Sequence, residues 1–441
     1  MKQDILKKAR EINEKFNVFI TIADKVETSG KGKLSGIAIS VKDNICTKGM
    51  QSTAGSRILE GYIPPFDASV VEKCRKEGAF IIGKTTEDEF GFGTFSINTG
   101  FNVPKNPLDP ERSCGGSSGG AAGLTVAVDF PHIAIGESTG GSISCPVAFC
   151  GVVGLTPTYG RVSRWGLIDY GNSLDKIGTI SKTVKDTALL LSVISGPDEY
   201  DSTVLKLKQE DFTKHLKDSV KGIKIGIPKE YFGEGVDEKV CKLVWKSVKK
   251  LESLGANYKE VSLPHTKYAL SSYYIIAMAE ASTNLAKLCG MRYGLHKPIK
   301  GNYDEYFSEV RSQGFTEEAK RRIILGTFTR MAGFREAYYL KALKVRTKVI
   351  QDFKKAFKNF DVLIAPTMPV VAPRFDEIAK LEPIQHYTMD ILTVGPNLAG
   401  IPMISVPCGL VDELPVGLHI MGDHLQEGKI IQVAHTFEVN K

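Results

Sequence analysis

Two glycine- and serine-rich stretches, CGGSSGG at 114–120 and GESTGGSIS at 136–144, alternate with short apolar segments. These segments are LTVAV at 124–128, IAI at 133–135 and VVGL at 152–155. A flexible linker has no need of apolar neighbours. Glycine-rich loops set into a core let the backbone approach a ligand closely or point its N–H groups inward. The two stretches therefore predict a pair of loops buried within a folded domain.

Outward from these loops, strand patterns alternate with helix patterns along the chain. Apolar spacing predicts an amphipathic helix over 1–16 and another over 237–254, which Gly255 ends. Alternation and short apolar runs predict several strands. The predicted strands are residues 37–42, 79–84, 362–366, 403–409 and 416–422. This order indicates an α/β layered fold around a mixed or parallel sheet.

The chain is predicted to form one large domain over residues 1–441. Residues 265–350 are rich in helix formers and are predicted to be a helical excursion from that domain. No segment rich in proline, glycine and serine separates independent modules, although 441 residues would allow about three domains of typical size.

Composition excludes several classes of protein. Hydrophobic residues make up 42% and charged residues 24%, as in globular proteins, so a disordered or fibrous chain is excluded. No apolar run approaches the roughly 18 residues needed to span a membrane, and the first residues lack a signal-peptide pattern, so we expect a soluble, cytoplasmic protein. The net charge of +7 is compatible with an RNA partner but does not require one. Eight scattered cysteines without a CxxC pair predict neither disulfides nor a metal site.

The glycine-rich stretches have two functional interpretations. Phosphate binding fails on detail, because neither stretch matches a P-loop or GxGxxG. Acyl transfer fits better, since the serine of TGGS at 139–142 follows backbone N–H groups that could converge on an oxyanion. This serine needs a base. His132 lies nearby but is expected to be structural, and a Ser–His–Asp triad assembled from distant residues stays open. Lys42 ends a predicted strand whose same face carries only small residues, so it is either a solvated strand-end lysine or a desolvated lysine that deprotonates the serine.

The same motifs carry a resemblance to a known family. SVKDN at 40–44 and the two glycine-rich stretches, continued by CPVAFCGVVGLTPTYGRVSRWGLI at 145–168, resemble the amidase signature family. Outside that core, EASTNLAKLCGMRYG at 280–294 and PNLAGIPMISVPCGL at 396–410 are similar to the A subunits of glutamyl-tRNA(Gln) amidotransferases. The resemblance implies a mixed, twisted sheet covered by helices on both faces, with the catalytic core at about 36–205.

The resemblance assigns catalytic roles to matching residues. Ser142 corresponds to the nucleophile and Lys42, as a neutral amine, to the base. Ser117, the first serine of the SS pair, corresponds to a serine that follows a cis peptide bond and passes the proton between them. The resemblance further implies an oxyanion hole made by the backbone N–H groups of Thr139, Gly140, Gly141 and Ser142.

Three further residues match positions that hold glutamine in the A subunits: Tyr273, Arg322 and Asp390. A guanidinium suits the α-carboxylate of glutamine, and a carboxylate suits its α-ammonium group. A shift of one residue would substitute the neighbours Tyr274 and Arg321, so these two stay open at this point.

The sequence departs from the family pattern at three places. Ser117 and Ser142 are separated by one residue more than is usual in the family. Serine stands at 138 and at 144, where the family commonly has an aspartate and an arginine. Because both members of this charge pair are absent together, we expect their loss to be compensated.

The resemblance implies a glutaminase subunit of a tRNA-dependent amidotransferase. Its ammonia would pass to a B subunit, which uses ATP and Mg²⁺ to convert Glu-tRNA(Gln) into Gln-tRNA(Gln), while a small C subunit holds the two together. Charged tRNA would be bound mainly by that partner, and this chain would carry no cofactor. The alternatives are a stand-alone amidase for small amides, a catalytically silent scaffold subunit or, more remotely, a cysteine glutaminase centred on Cys114.

Overall fold

The computed structural model describes residues 2–27 and 30–440. Met1 and Lys441, which bound the predicted domain, lie outside the described residues. The strands, numbered β1 to β13, are Phe19–Ile22, Ala38–Lys42, Phe80–Thr85, Lys105–Asn106, Asp109–Ser113, His132–Ser138, Val153–Thr156, Lys176–Ser181, Lys224–Pro228, Asn257–Val261, Val362–Pro366, Met403–Val411 and Leu414–Gly422. The α-helices, numbered α1 to α14, are Lys2–Phe16, Ser69–Lys76, Gly119–Ala127, Ser144–Cys150, Val184–Ile194, Glu238–Ser253, Ala269–Asn284, Tyr303–Gly314, Glu317–Arg330, Lys341–Ala356, Phe375–Ile378, Pro383–Thr388, Val394–Ala399 and Glu427–Val439.

Eleven of the described strands form one mixed sheet, in the order β1-β3-β2-β6-β8-β7-β12-β13-β11-β9-β10. The strands β3, β2 and β6 run parallel to one another, as do β11, β9 and β10. The strands between these two groups pair antiparallel. The predicted mixed α/β sheet is therefore confirmed.

Helices cover both faces of the sheet because side chains of successive strand residues point to opposite faces. On one face Ile135 and Leu155 pack in a buried cluster with Val244 of α6 and Ile430 of α14. The other face contributes Met403 and Met421, among others, to a second buried cluster that includes residues of α7 and α10. The sheet is thus the middle layer of three, as the resemblance implied.

Local sequence signals account for several of these elements. Each of the five predicted strands is present; 362–366 keeps its bounds, and the bounds of the other four differ by one or two residues. The helix predicted over 237–254 is α6, where the Asp237 side chain accepts a hydrogen bond from the Lys239 N–H and caps the first turn. Gly255 then adopts a φ of +99°, which favours glycine and ends the helix. Helices α7 to α10 lie largely within the predicted helical excursion.

The sheet brings the two glycine-rich loops together. Strands β2 and β6 are parallel neighbours, with Val41 opposite Ile135, so both end at the same edge. Residues 114–118 lead into helix α3, and residues 139–143 join β6 to helix α4. The Ser118 N–H donates to the Ser142 carbonyl oxygen at 3.1 Å and ties one loop to the other. No helix within the described part of the chain is long and apolar enough to cross a membrane.

Candidate active site

Lys42 is the last residue of β2 and is fully buried. Its Nζ donates three hydrogen bonds: to the Ser117 Oγ at 2.6 Å, to the Glu137 Oε2 at 2.9 Å and to the Glu137 carbonyl oxygen at 3.1 Å. The Glu87 Oε2 lies 3.6 Å from the same nitrogen. Strand β2 therefore places the Lys42 nitrogen within hydrogen-bond distance of Ser117, the serine predicted to pass the proton.

Ser117 is held by the loop that precedes α3. The peptide bond between Gly116 and Ser117 is cis, and the Ser117 carbonyl oxygen accepts from the Asp88 N–H at 3.3 Å. The Asp88 carboxylate in turn accepts from the backbone N–H groups of Ser96 and Asn98, both at 2.9 Å. Burial raises the pKa of Asp88 to about 6. These contacts hold the Ser117 hydroxyl beside Lys42.

The loop that carries Ser142 needs its two glycines for close packing. A Cβ at Gly140 would lie 2.7 Å from the Tyr273 hydroxyl oxygen, and one at Gly141 would lie 2.5 Å from the Thr393 Oγ1. Asn397 anchors this turn by donating from Nδ2 to the Gly140 carbonyl oxygen. Over residues 2–27 and 30–440, no hydrogen bond uses the N–H of Gly140, Gly141 or Ser142. These donors are available to an oxyanion.

A buried carboxylate, that of Glu137, lies beside Lys42. Glu137 is 1% exposed, and its Oε2 accepts from Lys42 and, at 3.1 Å, from the Asn44 Nδ2. Its Oε1 accepts from the Thr139 Oγ1 at 2.8 Å. Glu137, one position before the serine at 138, is therefore an acid in direct contact with Lys42.

Thr139 connects Glu137 to a second buried acid, Asp175. The Thr139 Oγ1 lies 2.7 Å from the Asp175 Oδ1 as well as 2.8 Å from Glu137. A hydroxyl has one hydrogen to donate, so one of the two carboxyls must donate to it. The Asp175 Oδ2 already accepts from the N–H groups of Tyr170 and Gly171. Burial, reinforced by Glu137, raises the pKa of Asp175 to about 7, which makes Asp175 the member that holds a proton.

The three residues predicted to hold glutamine lie close together around a fourth, Tyr274. The Tyr274 hydroxyl donates to the Asp390 Oδ2 at 2.6 Å, and its ring centre lies 5.3 Å from the Arg322 guanidinium carbon. The Tyr273 hydroxyl lies 3.0 Å from that of Tyr170 and also faces Gly140. Tyr273 therefore faces the nucleophile loop, and Tyr274, which sequence reasoning left open, holds Asp390.

The side chain of Arg322 is buried, whereas that of its neighbour Arg321 is exposed. The side chain of Arg322 is 4% exposed and that of Arg321 is 42% exposed. The Arg322 Nε donates to the Glu318 Oε1 at 2.7 Å, and the ring centres of Phe92 and Tyr387 lie 4.9 and 5.4 Å from its guanidinium carbon. Its terminal nitrogens stay available for a carboxylate, the ligand that a guanidinium binds best.

A cavity of about 210 Å³ opens beside these charged groups. Its lining includes Thr94, Arg322 and Tyr387. Thr94 also donates to the Asp390 Oδ1 at 3.2 Å. Burial raises the pKa of Asp390 to about 6, and the Arg322 charge opposes that rise. A buried cation and a titrating carboxyl next to a small cavity suit a zwitterionic amino acid.

The residues of the rejected alternatives lie in structural positions. His132 begins β6, and its Nε2 lies 2.9 Å from the Ser40 Oγ, at the end of the strand opposite Glu137. Burial lowers the pKa of His132 to about 3, so it stays neutral. Cys114 is buried in an apolar cluster. No group of side chains that could hold a metal ion occurs among the residues described.

Sequence reasoning missed the acids around Lys42. Glu137 stands on β6 two residues beyond Ile135 and four beyond Ile133, so alternation places an acid on an otherwise apolar side of the strand. That signal was available in the sequence. Glu87 lies in a short polar run after β3 and gives no such signal.

Comparisons with known proteins agree with this geometry. The family model described as Amidase matches residues 3–431. The glutamyl-tRNA(Gln) amidotransferase A subunit of Methanococcoides burtonii is 51% identical over 419 residues, which cover 95% of this chain and 87% of that protein. The protein of the same name from Methanosarcina mazei is 51% identical over 435 residues, covering 97% and 90%.

A solved structure extends the likeness to three dimensions. The crystal structure of the glutamyl-tRNA(Gln) amidotransferase A subunit from Thermotoga maritima superposes with a TM-score of 0.86 at 40% identity, covering 100% of this chain and 91% of that one. Family model, sequence identity and fold agree over nearly the whole chain. The chain therefore belongs to the amidase family, and within it to the glutamyl-tRNA(Gln) amidotransferase A subunits.

Proposed function

We propose that this chain is the glutaminase subunit of a tRNA-dependent amidotransferase and hydrolyses the side-chain amide of glutamine. The observation that carries the proposal is the pair of opposite charges, Arg322 and Asp390, joined through Tyr274 beside a small cavity. Arg322 binds the α-carboxylate and Asp390 the α-ammonium group of glutamine, while Tyr273 packs against the loop that carries Ser142.

The chemistry is acyl transfer through Ser142. Its hydroxyl proton passes to the Ser117 Oγ while the Ser117 proton passes to Lys42, which lies 2.6 Å away and must first be a free amine. The Ser142 Oγ bonds to the amide carbon, and the oxyanion is stabilised by the N–H groups of residues 139–142, each contributing roughly 3 kcal/mol. The C–N bond breaks as the proton returns through Ser117 to the leaving nitrogen. Water then releases glutamate, and Ser142 recovers its proton.

The ammonia serves a partner. We propose that a B subunit receives it and, with ATP and Mg²⁺, amidates Glu-tRNA(Gln) to Gln-tRNA(Gln), while a C subunit stabilises the pair in the cytoplasm. The relatives are named as the A subunits of glutamyl-tRNA(Gln) amidotransferases, which supports this division of labour. Charged tRNA binds mainly to the partner, and this chain contributes glutamine binding and ammonia release.

The test is glutamine hydrolysis by the co-expressed complex, with and without charged tRNA. Ser142→Ala removes the nucleophile, so glutamate release should fall to background while the melting temperature stays that of the wild type. Ser253→Ala is the control, because this exposed serine ends α6 and its hydroxyl donates to the Lys250 carbonyl oxygen within the same helix. Hydrolysis retained in Ser142→Ala would remove the nucleophile assignment.

The same experiment separates the alternatives. A stand-alone amidase would hydrolyse simple amides as well as glutamine and would gain nothing from the partner or from charged tRNA. A silent scaffold subunit would release no glutamate in any form, and the wild type would be indistinguishable from Ser142→Ala. The proposed function predicts a preference for glutamine and stimulation by charged tRNA.

A further inference from the structure

The three donors of Lys42 are all in use. A protonated lysine side chain has three N–H bonds, and the Ser117 Oγ and two oxygens of Glu137 lie within 3.1 Å of Nζ to accept them. A free amine fits the same three contacts, because its two N–H bonds can point at Glu137 while its lone pair accepts from the Ser117 hydroxyl. The proposed chemistry needs the free amine, so the charges around Nζ decide which form of Lys42 is favoured.

The two acids beside Lys42 have different surroundings. Glu137 accepts from Lys42, Asn44 and Thr139, and three donors stabilise a carboxylate anion. Glu87 is buried as deeply, yet neither of its carboxyl oxygens has a hydrogen-bond partner among the residues the structure describes. Burial raises the pKa of Glu87 well above its ordinary value, which favours the neutral form of this side chain.

The other charged groups near Lys42 form hydrogen bonds with other partners. Asp43 follows Lys42 on the chain and accepts from the N–H groups of Thr53 and Gly55. Behind it, the Lys84 Nζ donates to the Ile45 carbonyl oxygen at 2.6 Å.

The remaining two acids, Asp88 and Asp175, are also bound to backbone. Asp88 accepts from the N–H groups of Ser96 and Asn98. Asp175 accepts from backbone at one oxygen and reaches Glu137 only through Thr139. Glu137 is therefore the charged acid in direct contact with Nζ.

We propose that Glu137 sets the pH range of the reaction by holding Lys42 as an ammonium ion, and that Glu87 contributes no charge to this control. Glu137 is a positioning residue that acts through Lys42 and does not touch substrate. The inference rests on the proposed function, because the free amine of Lys42 matters only if this lysine accepts the serine proton. Before the reaction the ammonium proton of Lys42 is released to solvent, which leaves a lone pair on Nζ to take the Ser117 proton.

Electrostatics determines the direction in which loss of the Glu137 charge shifts the pH profile. An ionised carboxylate within hydrogen-bond distance favours the ammonium form, by a shift of about 1–3 pH units for such close pairs. Removing that charge leaves the desolvation of a buried amine, which favours the free base. The activity of a variant without the Glu137 charge should therefore begin at lower pH.

The experiment compares Glu137→Gln with Glu87→Gln in the co-expressed complex. Both substitutions keep the size of the side chain and remove its ability to ionise. The readout is kcat for glutamine hydrolysis between about pH 5 and 9 at saturating glutamine, where titration of the substrate-binding Asp390 does not contribute. In Glu137→Gln the acid limb of the pH profile should move to lower pH, by about 1 pH unit or more. At pH values below the acid limb of the wild type, the kcat of Glu137→Gln should then exceed the wild-type kcat about tenfold, because each pH unit changes the fraction of free amine by a factor of ten.

The matched variant should behave differently. Glu87→Gln should keep the limb at the wild-type pH, because a neutral group is exchanged for another neutral group. Glu137→Asp, which keeps the charge but moves it back by one methylene, should move the limb in the same direction as Glu137→Gln but less far. This variant tests the proposal even if Glu137→Gln fails to fold.

Three results would overturn the inference. The limb of Glu137→Gln could stay in place or move to higher pH, or Glu87→Gln could move it as far as Glu137→Gln does. Any of these results, with glutamine hydrolysis still lost in Ser142→Ala, contradicts this inference and leaves the proposed function standing. Wild-type hydrolysis that does not depend on Ser142 overturns both.

Discussion

At the scale of single residues, the proposed glutamine site contains a buried acid, Asp390, whose pKa lies near neutral pH. Asp390 accepts from Tyr274 and Thr94, and burial raises its pKa to about 6. Only the ionised form attracts the α-ammonium group of glutamine. In the proposed role, the Asp390 carboxylate binds the substrate above pH about 6, and the protonated carboxyl loses that attraction below it.

The KM for glutamine is therefore expected to rise as the pH falls through about 6 in the wild type. Asp390→Asn should raise KM at pH about 7 by roughly tenfold or more, because a hydrogen bond to a charged group contributes about 1.5–3 kcal/mol. Its KM should then stay flat across the same pH range. Steady-state kinetics check both effects, with Asp412→Asn, an exposed acid paired with Lys239, as the control. A wild-type KM in Asp390→Asn would contradict the assigned role.

At the scale of elements, the turn between β6 and α4 works only because its backbone touches neighbouring side chains. Gly140 faces the Tyr273 hydroxyl, and Asn397 of α13 binds the Gly140 carbonyl oxygen. One short turn thus contacts two helices that arrive from distant parts of the sequence. The direction of its N–H groups depends on that fit.

Gly140→Ala should remove most glutamine hydrolysis. The new methyl group would lie 2.7 Å from the Tyr273 hydroxyl oxygen, so either the turn or the tyrosine must move. A misplacement of about 1 Å at a reacting group can reduce the rate about a hundredfold. The control is Gly233→Ala, where the nearest atom to the new Cβ lies 3.8 Å away. Assays of kcat alongside melting temperatures test this, and full activity in Gly140→Ala would refute the fit.

At the scale of the whole molecule, one central sheet carries both the site and buried groups that resist protonation. His419 of β13 is fully buried opposite Ser405 of β12, and burial lowers its pKa to about 3. An unfolded histidine titrates near about 6.5. Between these values the unfolded chain binds a proton that the folded chain does not, so folding stability falls as the pH decreases.

His419→Gln should flatten that dependence. One such histidine lowers the free energy of unfolding by about 1.4 kcal/mol for each pH unit below about 6.5. The variant should therefore lose less stability than the wild type on going from about pH 6 to about pH 5, by about that amount. Urea unfolding at the two pH values measures the difference, whatever the absolute stability of the variant. Equal losses in the two proteins would show that His419 is not the titrating group.

Five strands of the sheet and the residues proposed to react were predicted from the sequence because their signals are local. Alternation in 37–42 placed Lys42 on a strand, and the glycine pairs marked the two serine loops. The resemblance then joined these segments into one site, including the inward Arg322. Strand β10 gave a weaker signal, because this edge strand, NYKEV, is half exposed and mostly polar.

What the sequence determined by itself was the kind of chemistry and the family, since both reside in short runs of residues. What only the tertiary structure decided was the electrostatic setting of Lys42. Glu137 follows it by 95 positions and Glu87 by 45, and nothing local relates these residues. The parallel pairing of β2 with β6 and with β3 brings all three side chains to one dry edge of the sheet. Charge interactions act through space in a medium of low dielectric constant, so distances created by folding set their strength.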